Sequence, residues 1–248
     1  MKTHRTATFR FYEELNDFLP HAKKKRSFDY VLKFHQTVKD AIEALGVPHA
    51  EVDLILVNSL SVGFNYQLQD GDMVSVYPVF ESFDVSPLTK LRPKPLREPR
   101  FVLDVHLGKL CKYLRMLGFD TLYNNHFADD EIIAISVSQL RIILTRDIGI
   151  LKNGQVTHGY WIRSQNSKEQ LYEVIRRFDL KKEIRPFYRC TVCNGLVEKV
   201  DKEAVLQLLE PGTRNFYDDF YRCGACKKIY WEGSHFENMR VFVDELLE

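Results

Sequence analysis

The chain has 248 residues, 45% of them hydrophobic and 28% charged, with a formal net charge of +1. That length suits two or three domains, and the composition is that of a folded globular protein and excludes a disordered one. No run of about 18 apolar residues is present to span a bilayer, and the opening MKTHRTATFRFYEELNDF lacks the apolar core and cleavage site of a secretory signal. A cytoplasmic protein with no membrane partner is expected. The charge is unevenly spread. Lys and Arg number 13 against 13 Asp and Glu over 1–99, 15 against 10 over 100–189, and 7 against 11 over 190–248. A basic middle segment is where a polyanion would dock.

Residues 3–34 predict two strands, THRTATFRF and SFDYVLKF, joined by a polar connection that carries the basic run His21 to Arg26. That run reads as a solvated hairpin loop, with an RNA contact as the alternative. Thr37 is a candidate N-cap with Asp40 three residues on, and Gly46 stops the helix TVKDAIEAL. The strand VDLILVN, the short segment SVGFNYQL, an Asp70-Gly71-Asp72 turn and the strand MVSVYPVF follow. This β-β-α-β-β order is the β-grasp pattern. Over 1–82 the chain resembles ubiquitin-like and sulfur-carrier domains, particularly in LQDGDMVSVYPV. Sulfur carriers act through a free Gly-Gly tail, whereas here the chain runs on as Pro-Val-Phe-Glu. Carrier chemistry is thereby excluded, and a docking or stabilising role remains.

Residues 83–99, with four prolines and no hydrophobic period, predict a semi-extended linker. From residue 100 strands and helices alternate: FVL, LGKLCKYLRML ended by Gly118, TLY, DEIIAISVSQL, RIILT, IGILKN, HGYWI and SKEQLYEVIRRF. That order predicts a parallel sheet with helices on both faces over 100–187.

Ligands of open parallel sheets sit beyond the carboxyl ends of the strands. Asp104 follows FVL, Asp147 follows RIILT, and Asp129, Asp130 and Glu131 open the helix after TLY. Together these carboxylates are candidate catalytic residues, with Asp104 and Asp147 as ligands of Mg²⁺ or Mn²⁺. Such a cation lowers the pKa of water and neutralises phosphodiester charge. Plainer roles also suit them: Asp129 or Asp130 as a helix N-cap, Asp104 as a turn residue, Asp147 as a partner of Arg146. Lys109 and Arg115 on the following helix, with Arg146 and Arg163 after strand ends, are candidate RNA contacts or ordinary surface residues.

Four of the five cysteines form two pairs, Cys190-Thr-Val-Cys193 and Cys223-Gly-Ala-Cys226, separated by 29 residues. Two residues between thiolates aim both at one tetrahedral ion, so the doubled motif predicts a closed Zn²⁺ site that is structural and not catalytic. Cys111, inside a helical apolar run, reads as a packing residue.

The runs FVLDVHLGKLCKYLRMLGFDTLY, ADDEI and RIILTRDIGIL, with the tail RPFYRCTVCNG…FYRCGACKKIYWEGSHFENM, resemble the Mut-seven C-terminal RNase-domain family. The resemblance implies a PIN-like nuclease fold, a zinc ribbon over 188–248 and a leading β-grasp domain. It implies metal-dependent ribonuclease activity on RNA, single-stranded by expectation, through Asp104, the 129–131 cluster and Asp147. In the ribbon, Tyr188, Arg189, Lys227, Lys228, Tyr230 and Trp231 would offer charge and stacking faces to such RNA, although Tyr230 and Trp231 equally suit the ribbon's small core. The other reading is a non-catalytic RNA-binding adaptor whose β-grasp domain recruits a partner protein. A nucleotide-binding module is less well supported, because LDVHLGK has a single glycine where a phosphate loop would lie.

Overall fold

A computed structural model describes residues 5–78, 91 and 99–247. The linker expected over 83–99 therefore lies outside the described residues, apart from Leu91 and Pro99. Among the described residues, no helix is long and apolar enough to cross a membrane.

The N-terminal elements are β1 (Thr6–Phe11), β2 (Phe28–Val31), α1 (Val38–Ala44), β3 (Val52–Val57), β4 (Leu60–Ser61) and β5 (Met73–Pro78). They form a sheet in the order β2-β1-β5-β3-β4, with β1 and β5 parallel and the other pairs antiparallel. This is the ubiquitin-like β-grasp arrangement. Alternate residues of β1 turn inward, so Phe9 and Phe11 join Val38, Ile42, Ile55 and Val76 in a sealed core. Thr37 caps α1 as its position predicts, in a reciprocal box with Asp40. The connection from β1 to β2 is more ordered than a solvated hairpin loop. It holds short helical turns at Glu13–Phe18 and His21–Lys23. The buried Asn16 side chain pins it, donating to Phe11 O at 2.9 Å and accepting from Lys25 N at 2.6 Å.

After residue 99 the chain runs β6 (Phe101–Leu103), α2 (Gly108–Met116), β7 (Thr121–Leu122), α3 (Asp129–Gln139), β8 (Ile142–Thr145), α4 (Ile148–Leu151), β9 (Gly159–Trp161) and α5 (Ser167–Arg177). β6 pairs with β7 and β8 with β9, both in parallel. Every residue of β6 and β8 is buried, as expected of parallel strands covered on both faces. The tail adds β10 (Val197–Val200), α6 (Lys202–Val205), α7 (Pro211–Phe216), β11 (Phe220–Cys223), β12 (Ile229–Trp231) and α8 (Ser234–Leu247). β10, β11 and β12 make an antiparallel sheet over a small core of Val205, Leu209 and Phe220.

The chain divides into two compact units that interleave in sequence: Met1–Glu98 with Ala128–Ile162, and Pro99–Phe127 with Arg163–Glu248. In the first, the β-grasp domain packs on the 128–162 segment. The buried His49 ring places both nitrogens against acceptors, Glu43 Oε1 at 2.6 Å and Val156 O at 2.9 Å. In the second, α2 ends at Gly118, whose φ is +94° and whose Cβ, were it present, would collide with the carbonyl of Arg185. Helix α8 turns its apolar face onto this unit. Phe242 lies 5.4 Å from the Tyr113 ring of α2 and beneath the Lys168 ammonium of α5 at 4.8 Å.

Candidate functional site: a four-cysteine centre and the acidic strand ends

The two cysteine pairs sit on turns of the same design. Cys190 N donates to Gly195 O at 2.8 Å and Asn194 N to Cys190 O at 2.9 Å. In the second turn Cys223 N donates to Lys228 O at 2.9 Å and Lys227 N to Cys223 O at 3.1 Å. Asn194 and Lys227, one residue past each pair, both take positive φ, at 70° and 64°. Each turn thereby aims two sulfurs at one point. The four Sγ atoms all lie within 4.8 Å of one another, with Cys190 to Cys226 at 3.6 Å and Cys193 to Cys223 at 3.4 Å. A tetrahedron of Zn–S bonds of about 2.3 Å has edges of about 3.8 Å, so the donor set fits such an ion closely. A Cβ on Gly195 would stand 2.9 Å from Cys223 Sγ and 3.3 Å from Cys193 Sγ, and only glycine leaves the sulfurs that room. Burial alone would raise the Cys190 thiol; the Tyr230 hydroxyl 3.0 Å from its sulfur and the backbone N–H groups of Cys193 and Val192 outweigh it, bringing Cys190 down to about 6. A thiolate, the form that binds metal, is favoured there. These four cysteines can hold a metal such as zinc.

The first turn is fastened to the α2–β7 region by polar contacts. Asn194 accepts from Thr121 N at 3.0 Å and donates to Asp120 Oδ1 at 2.8 Å. Arg189 pairs with Asp120 Oδ2 at 3.5 Å and donates to Asn194 O at 2.9 Å. Arg115, expected as an RNA contact, has a different position. It is buried, and its guanidinium donates to the carbonyls of Thr121 at 2.9 Å and Val192 at 2.7 Å. A phosphate has no approach to it. Arg189 and Tyr230 are likewise directed inward, to Asp120 and to Cys190. Of the ribbon residues expected to stack on RNA, Tyr188 and Trp231 stay partly exposed, at 44% and 38%. His235 lies at the start of α8, outside the cysteine group.

Asp104 follows β6 and is buried, and its carbonyl accepts from Leu107 N at 3.0 Å. Nearby, the Tyr123 hydroxyl donates to Val105 O at 2.8 Å, and its pKa is raised by burial and by the charges of Cys111 and Asp104. Asp147 follows β8 by one residue and is exposed; its N–H donates to Thr145 Oγ1 at 2.8 Å and its Oδ1 accepts from Gly149 N at 2.7 Å. One carboxylate oxygen thus caps α4. Asp129, Asp130 and Glu131 form the exposed first turn of α3. Neither aspartate is the N-cap: Ala128 holds that position, and Glu131 reaches back to its N–H at 3.4 Å. Asp104 belongs to the second compact unit and the other four carboxylates to the first. Among the candidate basic residues, Lys109 and Arg146 are exposed, while Arg163 pairs with Glu173 at 3.8 Å.

A ubiquitin-like domain, parallel strands alternating with helices, and a doubled cysteine turn define a multidomain α/β protein with a four-cysteine tail that can hold a metal. Residues 99–243 match the model of the Mut7-C RNAse domain and residues 4–84 that of the Mut7-C ubiquitin. The chain belongs to the Mut7-C RNAse domain family, and its function is nuclease-like. Two crystal structures of the small archaeal modifier protein 1 of Haloferax volcanii are similar at 14% identity and a TM-score of 0.25. They cover 31% and 32% of this chain and 99% of each of those chains. No match is found among curated proteins.

Proposed function

We propose that this protein is a Mg²⁺- or Mn²⁺-dependent ribonuclease that hydrolyses RNA phosphodiester bonds through Asp104, Asp147 and the Asp129–Glu131 turn. The observation that carries the reading is the match of residues 99–243 to the Mut7-C RNAse domain. The acidic residues support it, because Asp104 and Asp147 follow the carboxyl ends of parallel strands, where such folds keep their ligands. The donor set is all carboxylate, which suits a hard divalent cation. When bound, that cation supplies an activated water and neutralises phosphate charge. Asp147 holds its carboxylate fixed through Gly149 N and leaves the second oxygen for a ligand. A carboxylate of the 129–131 turn is the candidate general base. Arg146 and Lys109, both exposed, attract the RNA backbone. The ribbon holds Zn²⁺ in a closed set of four thiolates, a stabilising role consistent with a reducing cytoplasm.

The test incubates the full chain and its Asp147→Asn variant with labelled RNA and Mn²⁺. Wild-type cleavage and a loss on the order of 100-fold or more in the variant are expected. Equal cleavage by both would overturn the site. RNA binding without cleavage by either would point to the adaptor role, with the β-grasp domain recruiting a partner protein. A chelator is the weaker control, since it also strips the ribbon.

A further inference from the structure

Strand β9 lies at the edge of its sheet, with one side on β8 and the other toward the β-grasp domain. Ile162 N donates to Thr145 O at 2.8 Å, so it faces β8, and the N–H of Trp161, one residue earlier, faces away. Glu51, at 0% exposure, accepts that N–H at 2.6 Å. An edge N–H that would otherwise be left to solvent is closed by a side chain of another domain. The Trp161 ring meets Phe18 of the β-grasp domain at 5.2 Å. On its other side, the indole Nε1–H of Trp161 donates to the carbonyl of Arg146 at 3.3 Å. Trp161 is also the register partner of Thr145, whose hydroxyl accepts from Asp147 N.

We propose that Trp161 is a positioning residue through which the β-grasp domain sets the Arg146–Asp147 turn. Its consequence for catalysis rests on the nuclease reading above, whereas the coupling itself does not. The β-grasp domain is then a built-in brace for the turn that carries Asp147. Glu51 and Phe18 fix where Trp161 lies, and the indole fixes the peptide carbonyl just before the acidic residue. Small shifts of a carboxylate cost large factors in rate, so a brace of this kind acts on turnover more than on RNA affinity.

The experiment compares full-length wild type, Trp161→Phe, which keeps a ring and removes the indole donor, and Phe18→Ala, which alters the contact from the β-grasp side. Amide hydrogen exchange is read at Asp147 and Gly149, both of whose N–H groups are bonded within the turn, and at Ile143 and Leu144 in the strand. The expected result is faster exchange at 147 and 149 by about two- to tenfold, the worth of one hydrogen bond, with β8 unchanged in both variants. On RNA, kcat is expected to fall while KM holds. Unchanged exchange at 147 and 149 in both variants overturns the proposal, as does a uniform loss of protection over 142–162, which would mark Trp161 as merely structural. If wild type cleaves no RNA but the turn alone loosens, the nuclease reading fails and the coupling stands.

Discussion

Arg115 Nη1 donates to the carbonyl of Val192 at 2.7 Å, so a side chain from the last turn of α2 holds the loop between Cys190 and Cys193. With Nε on Thr121 O, one guanidinium joins helix, strand and metal turn. The ribbon is anchored before any metal is considered.

Replacing Arg115 by Met keeps an unbranched stem and takes the donor from the buried carbonyl of Thr121 and the part-buried carbonyl of Val192. Each such group costs about 1–3 kcal/mol, so a loss of about 2–4 kcal/mol in unfolding free energy is expected from urea denaturation of the full chain. Zinc transfer to a competing chelator is expected to speed up as well. A change below about 0.5 kcal/mol, the level of an ordinary surface substitution, would show that the bridge does not hold the turn.

Metal analysis is expected to find one zinc per chain, absent in Cys223→Ser. The ribbon's core of Val205, Leu209 and Phe220 is too small to hold three strands without it, and structural zinc is worth about 10–16 kcal/mol in comparable modules. Chelation should therefore open tryptic cleavage after Arg222, which is paired on both sides within the ribbon sheet. Resistance at Arg222 after full metal removal would refute this.

Cys111 is 1% exposed, and burial pushes its thiol up to about 11, with Arg115 and Lys112 offsetting only part of that. At pH 8 about one molecule in a thousand carries the reactive thiolate. Alkylation of metal-stripped protein without denaturant is expected to stop at four adducts by mass spectrometry, with the fifth appearing in denaturant.

His49→Leu removes the ring that lies between Glu43 and Val156. The carbonyl of Val156 and the Glu43 carboxylate then lose a buried partner, at a cost of about 1–3 kcal/mol each. A lower melting temperature is expected, together with faster amide exchange around Val156. Glu43→Gln, which keeps a polar partner for the ring, should cost less.

The β-grasp order and the strand–helix alternation were legible in the sequence because both rest on local periodicity, as at Phe9, Phe11, Leu110 and Leu114. The cysteine centre was legible from spacing alone. Arg115 was misjudged as a surface residue, yet a signal was present: it falls four residues after Cys111 and beside Leu114, on the apolar stripe of its helix. Its acceptors, at Thr191 and Val192, come from 76 and 77 residues away, and no local pattern supplies them. Helix α8 was hidden for the same reason. The apolar face of SHFENMRVFVDELL is visible, but its partners on α2 and α5 lie far back in the chain. The turn holding Asp147 was correctly placed at a strand end; its capping of α4 and its tie to Trp161 depend on tertiary contacts.

The interleaving of the two units bears on the order in which the protein can assemble. Residues 99–127 are made before the strands that finish the β-grasp unit, and must wait through the 128–162 segment for α5, the ribbon and α8. Domains that fold as they leave the ribosome are usually continuous stretches; here the first unit is finished inside the second. The surface of α2 around Tyr113 stays uncovered until Phe242 is synthesised. For that interval a nascent chain carries the Tyr113 face of α2 without the ring that covers it in the finished fold.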